Sequence, residues 1–252
     1  MKQLLSLLLI FYGVNLATQA NANMDPNEIV AALDDDLVAI DTGFSGSKIL
    51  LFGSISGKGD VIITVRGPSN REVVRKKGRM MGIWANKEQV AFSNTPAFFK
   101  IASTGDVDTI VNEETKARLE LGAQHLKPYL APSHINVDDE KKEAFWQALI
   151  RSKQRDGLYD AAASNVVLLG KRLFRADIEF PANVPVGTYL VYIYLVQDQE
   201  VVHSQITPII VSKIGMEARI YDFAQRHSLA YGVIAVLIAL IAGWLASVFF
   251  RK

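Results

Sequence analysis

Ser228 to Phe250 reads SLAYGVIAVLIALIAGWLASVFF, about 23 residues without a single charge. As a helix rising ~1.5 Å per residue it spans roughly 34 Å, enough to cross a bilayer core. It predicts a transmembrane helix over 228–250. Everything before it is then held on one side of a membrane, and residues 251–252 form a short cytoplasmic tail. Arg251 and Lys252 close the sequence and no polar spacer precedes the apolar run, which argues against a removable lipid-anchor signal.

The other end fixes the orientation. Lys2 supplies a positive start, Leu4 to Val14 is an apolar run too short to span, and Ala20-Asn21-Ala22 offers a cleavage site. Residues 1–22 therefore read as a signal peptide. With an exported start and one C-terminal span, the domain lies outside the cytoplasm. The positive-inside rule agrees through Arg251 and Lys252. The expected localisation is the inner membrane, single-pass, with the N-terminal domain in the periplasm.

About 205 residues remain between the apolar ends, enough for one sizeable core. The chain has no cysteine, which excludes disulfides, thiolate nucleophiles and Cys-ligated metals. It also has no N-x-[ST] acceptor. Both fit a bacterial periplasm.

The expected fold is mainly β: an immunoglobulin-like β-sandwich over 23–212 with a helical insertion at about 106–160. After an acidic lead-in, a strand is expected around Ile29–Leu33 and another at Leu37–Ile40. Lys48–Ile55 is continuously apolar and suits a strand buried on both faces. Val61–Arg66 alternates, and the two predict a β-hairpin across the SGKGD turn. Short strands follow at Arg71–Lys77, Arg79–Asn86, Gln89–Phe92 and Ala97–Ala102. A helix is expected from Asp106 to about Leu121, closed by Gly122. A stronger one runs from Asp138, its cap, to Arg155, with Phe145, Trp146, Leu149 and Ile150 as the apolar stripe.

Beyond Asn165 strands return. Phe174, Ala176, Ile178 and Phe180 alternate with Arg175, Asp177 and Glu179, a half-buried strand. YLVYIYLV at 189–196 predicts a central strand, and Val201–Val211 pairs back onto it. The Gly-x-Tyr that opens this strand resembles a tyrosine corner, with Tyr189 as the corner. Residues 213–227 predict a juxtamembrane amphipathic helix with Met216, Ile220 and Phe223 on one side, lying near the headgroups.

Four features bear on chemistry. Gly43-Phe44-Ser45-Gly46-Ser47-Lys48 contains Ser45-x-x-Lys48, a formal match to the Ser–Lys nucleophile motif. That chemistry needs a helical turn, and here a strand follows, so the stretch reads as a structural loop or as amides approaching an anion or partner. Arg66, Arg71, Arg75, Lys76, Lys77 and Arg79 put six cations within 14 residues. An anionic ligand, an acidic partner, the lipid surface and solvated strand edges all account for them, and nucleic acid does not fit outside the cytoplasm. His125, His134, His203 and His227 show no metal-ligand spacing, so no metal and no cofactor are expected. In the span, Ala235, Ala239 and Gly243 recur at helical spacing, a face that lets another helix approach closely.

DTGFSGSKILLFG, VVRKKGRMMGIWANKE and PANVPVGTYLVYIYL, in that order before a terminal span, together resemble the alphaproteobacterial transmembrane protein family. The family has no established activity and supplies no catalytic residues to carry over. The resemblance implies an accessory role beside a sulfite-exporter-type permease. The residues themselves point the same way: no catalytic constellation, hence no enzyme, but an accessory or binding module whose partners are inner-membrane lipid and an integral-membrane protein. An envelope hydrolase or transferase with a dispersed site, and a periplasmic assembly chaperone, are the alternatives.

Overall fold

Period-two burial shapes much of the chain into strands. The structure, a computed structural model, describes residues 28–80 and 82–249. The expected signal peptide (1–22), Met81, Phe250, Arg251 and Lys252 lie outside the described residues.

The first strands are β1 (Ile29–Leu33), β2 (Leu37–Ile40), β3 (Gly46–Ile55) and β4 (Asp60–Arg66). Two long strands follow, β5 (Ser69–Met80) and β6 (Ile83–Pro96), then β7 (Phe99–Ser103). Helices α1 (Val107–Ile110) and α2 (Glu113–Leu119) come next, then the short β8 (Tyr129–Leu130) and the long helix α3 (Asp139–Arg155). Strands β9 (Ser164–Asn165), β10 (Val167–Leu169), β11 (Leu173–Pro181), β12 (Gly187–Gln197) and β13 (Glu200–Lys213) follow. Helices α4 (Met216–Arg226) and α5 (Ser228–Phe249) end the described chain.

The fold is mainly β, as the alternation predicts. One sheet has the order β1-β3-β11-β10, a second β2-β13-β12-β4-β7-β9, and a third β5-β6-β8. On β11 the even residues Phe174, Ala176, Ile178 and Phe180 are buried, and Arg175, Asp177 and Glu179 are exposed. β12 sits between β13 and β4, so its apolar run has neighbours on both edges. One buried cluster joins Leu51 and Phe174 of the first sheet, Ile63 and Val191 of the second, and Trp146 of α3. Phe98, Phe180 and Tyr189 pack ring on ring with centroids 5.3 to 5.5 Å apart, which ties the first two sheets together at one end.

The expected β3–β4 hairpin does not form. β3 pairs with β1 and β11, and β4 pairs with β12 and β7. The SGKGD loop therefore passes the chain from one sheet to the other. β3 buries only one face, with Ile49 and Leu51 inside and Phe52 46% exposed. β4 is the strand covered on both sides, since Ile62 and Thr64 are as buried as Val61 and Ile63.

The four short strands expected over 71–102 are two long ones and β7. The expected strand Arg79–Asn86 spans a turn: Met80 pairs with Ile83 and Arg79 with Trp84. Gly82 takes φ +84° there, a backbone state that costs glycine little. The helix expected over 106–121 is broken. Asn112 starts a second helix by accepting the Thr115 N–H at 2.8 Å, and Glu120, not Gly122, takes the left-handed closing position. Asp138 caps α3 as expected, its Oδ1 accepting the Lys141 N–H at 2.7 Å.

The Tyr189 hydroxyl donates to the Pro185 carbonyl at 2.6 Å, the bond expected of a corner tyrosine. The residue is fully buried, and burial pushes its phenol well above the usual range. Tyr189→Phe removes the donor and strands a buried carbonyl. It should cost about 1 to 2 kcal/mol, read as a lower urea midpoint for the full chain in detergent.

Candidate functional site

Gly43 to Lys48 forms the turn into β3. The Gly43 N–H donates to Asp41 Oδ1 at 2.9 Å, and Phe44 is half-buried against the core. Gly46 takes φ +122°, and a Cβ there would lie 2.9 Å from the Phe180 carbonyl oxygen. Its glycine is thus required by the close approach of β11. Ser47 pairs with Phe180 in the ladder, and Ser45 is exposed ahead of the strand. Lys48 sits on β3, with Nζ 3.0 Å from Glu179 Oε1 and 3.7 Å from Asp177 Oδ2. The hydrogen bond and charge of Glu179, with the charge of Asp177, raise the Lys48 pKa, opposite to what a Lys base requires.

Lys48 does line a cleft. About 240 Å³ opens between the first two sheets, bordered by Lys48, Lys100, Asp160, Arg175, Asp177 and Glu179. Asp160 Oδ1 lies 3.3 Å from Lys100 Nζ, and Oδ2 accepts the Ile101 N–H at 3.2 Å. Burial pushes the Asp160 carboxyl up, against the downward pull of Lys100. Arg175 donates to Asp177 at 3.4 Å. The three cations and three carboxylates of the wall balance, so the cleft offers hydrogen bonds rather than a net charge.

A larger neighbouring cavity, about 560 Å³, shares Asp160, Ser164 and Asn165 with the cleft and adds Asp106, Asp108, Lys116 and His125. The Lys116 side chain is only 3% exposed and is held by Asp108 at 2.6 Å and by Glu113. Its hydrogen bonds to those two carboxylates raise its pKa, and in return Lys116 lowers that of Asp108.

The basic run divides. Arg66, at the end of β4, donates to Glu120 Oε2 and to the Leu119 carbonyl, both at 2.6 Å. Its guanidinium also lies 5.5 Å from the Tyr192 ring centre and 5.8 Å from that of Phe99. It clamps the end of α2 to the second sheet. Arg71 donates to Ser133 Oγ at 3.2 Å. Arg75, Lys76, Lys77 and Arg79 are exposed on β5, the edge strand of its sheet.

α3 lies along the same ribbon. Its Lys153 meets Glu72 at 2.6 Å, Lys141 meets Glu88 at 2.7 Å, and Trp146 packs on Phe92 with centroids 5.2 Å apart. Beyond Glu88 the ribbon is bare. Ile83 is 69% and Trp84 68% exposed, with the Arg79 guanidinium 5.8 Å from the Trp84 ring.

The histidines stay apart. His134 Nδ1 contacts Ser133 Oγ at 2.9 Å, and His203 Nδ1 accepts the Ile29 N–H at 3.4 Å. Among the described residues no group of three or more His, Asp or Glu is arranged to hold a metal ion. On α5, Ala235, Ala239 and Gly243 are exposed, and nothing lies within 4 Å of where a Gly243 Cβ would sit.

Two features escaped sequence reasoning. The cleft acids and bases read as the solvent face of β11, because period-two alternation marks a face without saying what stands opposite it. The exposed Ile83-Trp84 pair read as strand interior, because the turn at Gly82 has no Asn or Asp beside it to announce it.

A β-rich domain followed, among the described residues, by one apolar helix of 22 residues, exposed along its whole length, fits a single-pass membrane protein. The chain belongs to the family described as "Putative transmembrane protein (Alph_Pro_TM)", which matches residues 28–252. No curated protein matches the chain. Among solved structures, the crystal structure of Spo0M, sporulation control protein, from Bacillus subtilis, is similar over 79% of this chain and 54% of its own, at 9% identity and a TM-score of 0.31. The chain thus spans about half the length of that protein, and a likeness at this score carries no argument.

Proposed function

We propose that this protein is a non-enzymatic accessory or binding module of the inner membrane, with its β domain in the periplasm and an integral-membrane protein as partner. A permease of the sulfite-exporter type is the partner class this reading takes. The strand orders support treating the first two sheets as an immunoglobulin-type sandwich. β1-β3-β11-β10 corresponds to A-B-E-D, β13-β12-β4 to G-F-C, and Tyr189 to the corner at the start of F.

The observation that carries the reading is the coupling of domain to span. β13 ends at Lys213 and α4 begins at Met216; α4 ends at Arg226 and α5 begins at Ser228. Two residues, the 11-residue helix α4 and one further residue join a sheet strand to the membrane helix. A loose tether needs a longer, polar linker. A junction that is helical over most of its length suits a domain held in register with a neighbouring membrane protein, and the face of Ala235, Ala239 and Gly243 is open to receive one of its helices. β5 also offers an unpaired edge, the feature a chaperone would use, but Arg75, Lys77 and Arg79 along it discourage strand addition.

The test is co-purification of the full chain in mild detergent from cells that also express such a permease. The expected result is a defined complex. Ala239→Leu with Gly243→Leu should lower recovery of the partner roughly tenfold while the circular dichroism of the domain is unchanged. A solitary monomer, or recovery indifferent to the two leucines, would sink the reading.

A further inference from the structure

We infer that the β5–β6 hairpin is a second membrane contact: its tip docks on the anionic headgroups of the bilayer that α5 crosses. The inference rests on α5 as a span and is independent of any protein partner.

Arg66 pairs with Phe99, the Gly67 N–H donates to the Phe98 carbonyl at 2.8 Å, the Ala97 N–H to the Pro68 carbonyl at 2.8 Å, and Ser69 pairs with Pro96. The β4–β7 ladder therefore continues into β5–β6, with register shifts between Asn70 and Glu72 and between Lys76 and Lys77, as far as Met80 and Ile83. The ribbon leaves the second sheet beside Gly187, where Pro68 Cγ would lie 2.8 Å from an added Cβ. Gly187 pairs with Val211, two residues before β13 ends and the chain turns toward the membrane helix. Arm and span thus depart from the same end of the sheet. The 12 residues of β5 reach roughly 40 Å at ~3.3 Å each.

Residues 75–88 carry five cations, Arg75, Lys76, Lys77, Arg79 and Lys87, against one acid, Glu88. That acid is already bonded to Lys141 of α3. At the turn, Ile83 and Trp84 stand out of the protein with Arg79 beside the indole. An apolar residue and a Trp ringed by like-signed cations is the composition that settles at a headgroup boundary. A protein acceptor would need acids placed in register with the five cations. An anionic lipid surface supplies them in any register, and a domain already anchored holds its tip near that surface at high effective concentration.

The chain has no cysteine, so a single one placed at exposed Asn86 reports on the tip without background. Full-length Asn86→Cys carrying an environment-sensitive fluorophore is reconstituted into nanodiscs of phosphatidylcholine, with or without phosphatidylglycerol. Exposed Glu200, at the far end of β13, provides the control label as Glu200→Cys. The expected result is a blue-shifted emission, quenched by bromine-labelled lipid, at residue 86 in anionic discs and none at residue 200. Replacing Arg75, Lys76, Lys77 and Arg79 with Gln should weaken the quenching roughly tenfold, and so should Ile83→Ser with Trp84→Ser. Emission at residue 86 equal in anionic discs, neutral discs and detergent overturns the proposal. So does protection that appears only when a partner protein is added.

Discussion

A chain carrying Gly53→Ala should fail to accumulate as a folded protein. Gly53 lies in β3, opposite Ala31 of β1 on one side and Phe174 of β11 on the other. A Cβ there would stand 2.4 Å from the Val30 carbonyl oxygen and 2.6 and 2.8 Å from two ring atoms of Phe174. Neither neighbour can yield cheaply. The oxygen belongs to the β1 ladder, and Phe174 is 1% exposed in the core. The added methyl must part β1 from β3 or drive Phe174 out of its packing. Overpacking of this kind costs about 3 kcal/mol or more, a large share of a total that is typically 5–15 kcal/mol. Gly82→Ala is the internal comparison. Nothing lies within 4 Å of its added Cβ, and only its φ of +84° opposes the change, so it should cost about 1 kcal/mol. Expression yield and the urea midpoint of both full-length variants in detergent check the pair. An unshifted midpoint for Gly53→Ala would contradict the packing described.

The contrast between those two glycines also marks what the sequence can disclose. Gly53 sits in an apolar run and reads as strand, but nothing local says that the Val30 carbonyl of the paired strand comes so close to it. Lys48–Ile55 and Val61–Arg66 both look like strands and both are. Their mutual pairing was the natural expectation from a short loop, and it fails because each finds a partner more than a hundred residues away: Leu51 meets Ala176, and Ile63 meets Ile193. Alternation fixes the face of a strand, not its neighbour. Where the cause is local, the reading holds: the burial alternation of β11, the Asp138 cap, the Tyr189 bond and the apolar length of α5 all follow from adjacent residues. The cleft is the opposite case. Lys48, Lys100, Asp160 and Asp177 come from four separate segments, so only the folded sheets bring them together. The basic run is intermediate. Its composition is plain, but Arg66 is a clamp on α2 while Arg75, Lys76, Lys77 and Arg79 are exposed on the ribbon, a division set by where β5 outruns the rest of the fold.

Trp146→Ala should detach α3 from that ribbon at a cost of about 3 to 5 kcal/mol, the range for removing a large buried aromatic. Trp146 is 2% exposed, lies against Phe92 of β6, and shares the inward stripe of α3 with Phe145, Leu149 and Ile150. Loss of the ring leaves a void between helix and ribbon. The Lys153–Glu72 and Lys141–Glu88 pairs would still bridge the two, but partly exposed ion pairs contribute little. Trp146→Phe separates ring from N–H. The indole Nε1 is buried and meets no acceptor among the described residues, so Phe gives up no hydrogen bond and loses only part of the ring volume. It should cost about 1 to 2 kcal/mol. Urea unfolding followed by far-ultraviolet circular dichroism ranks the three proteins, and amide exchange over 139–155 locates the effect. The expected order is wild type, then Phe, then Ala, with exchange in α3 accelerated for Ala first. Equal losses for Phe and Ala would mean that the N–H holds a bond after all. Unchanged exchange in α3 would mean that something other than Trp146 fastens the helix to the arm.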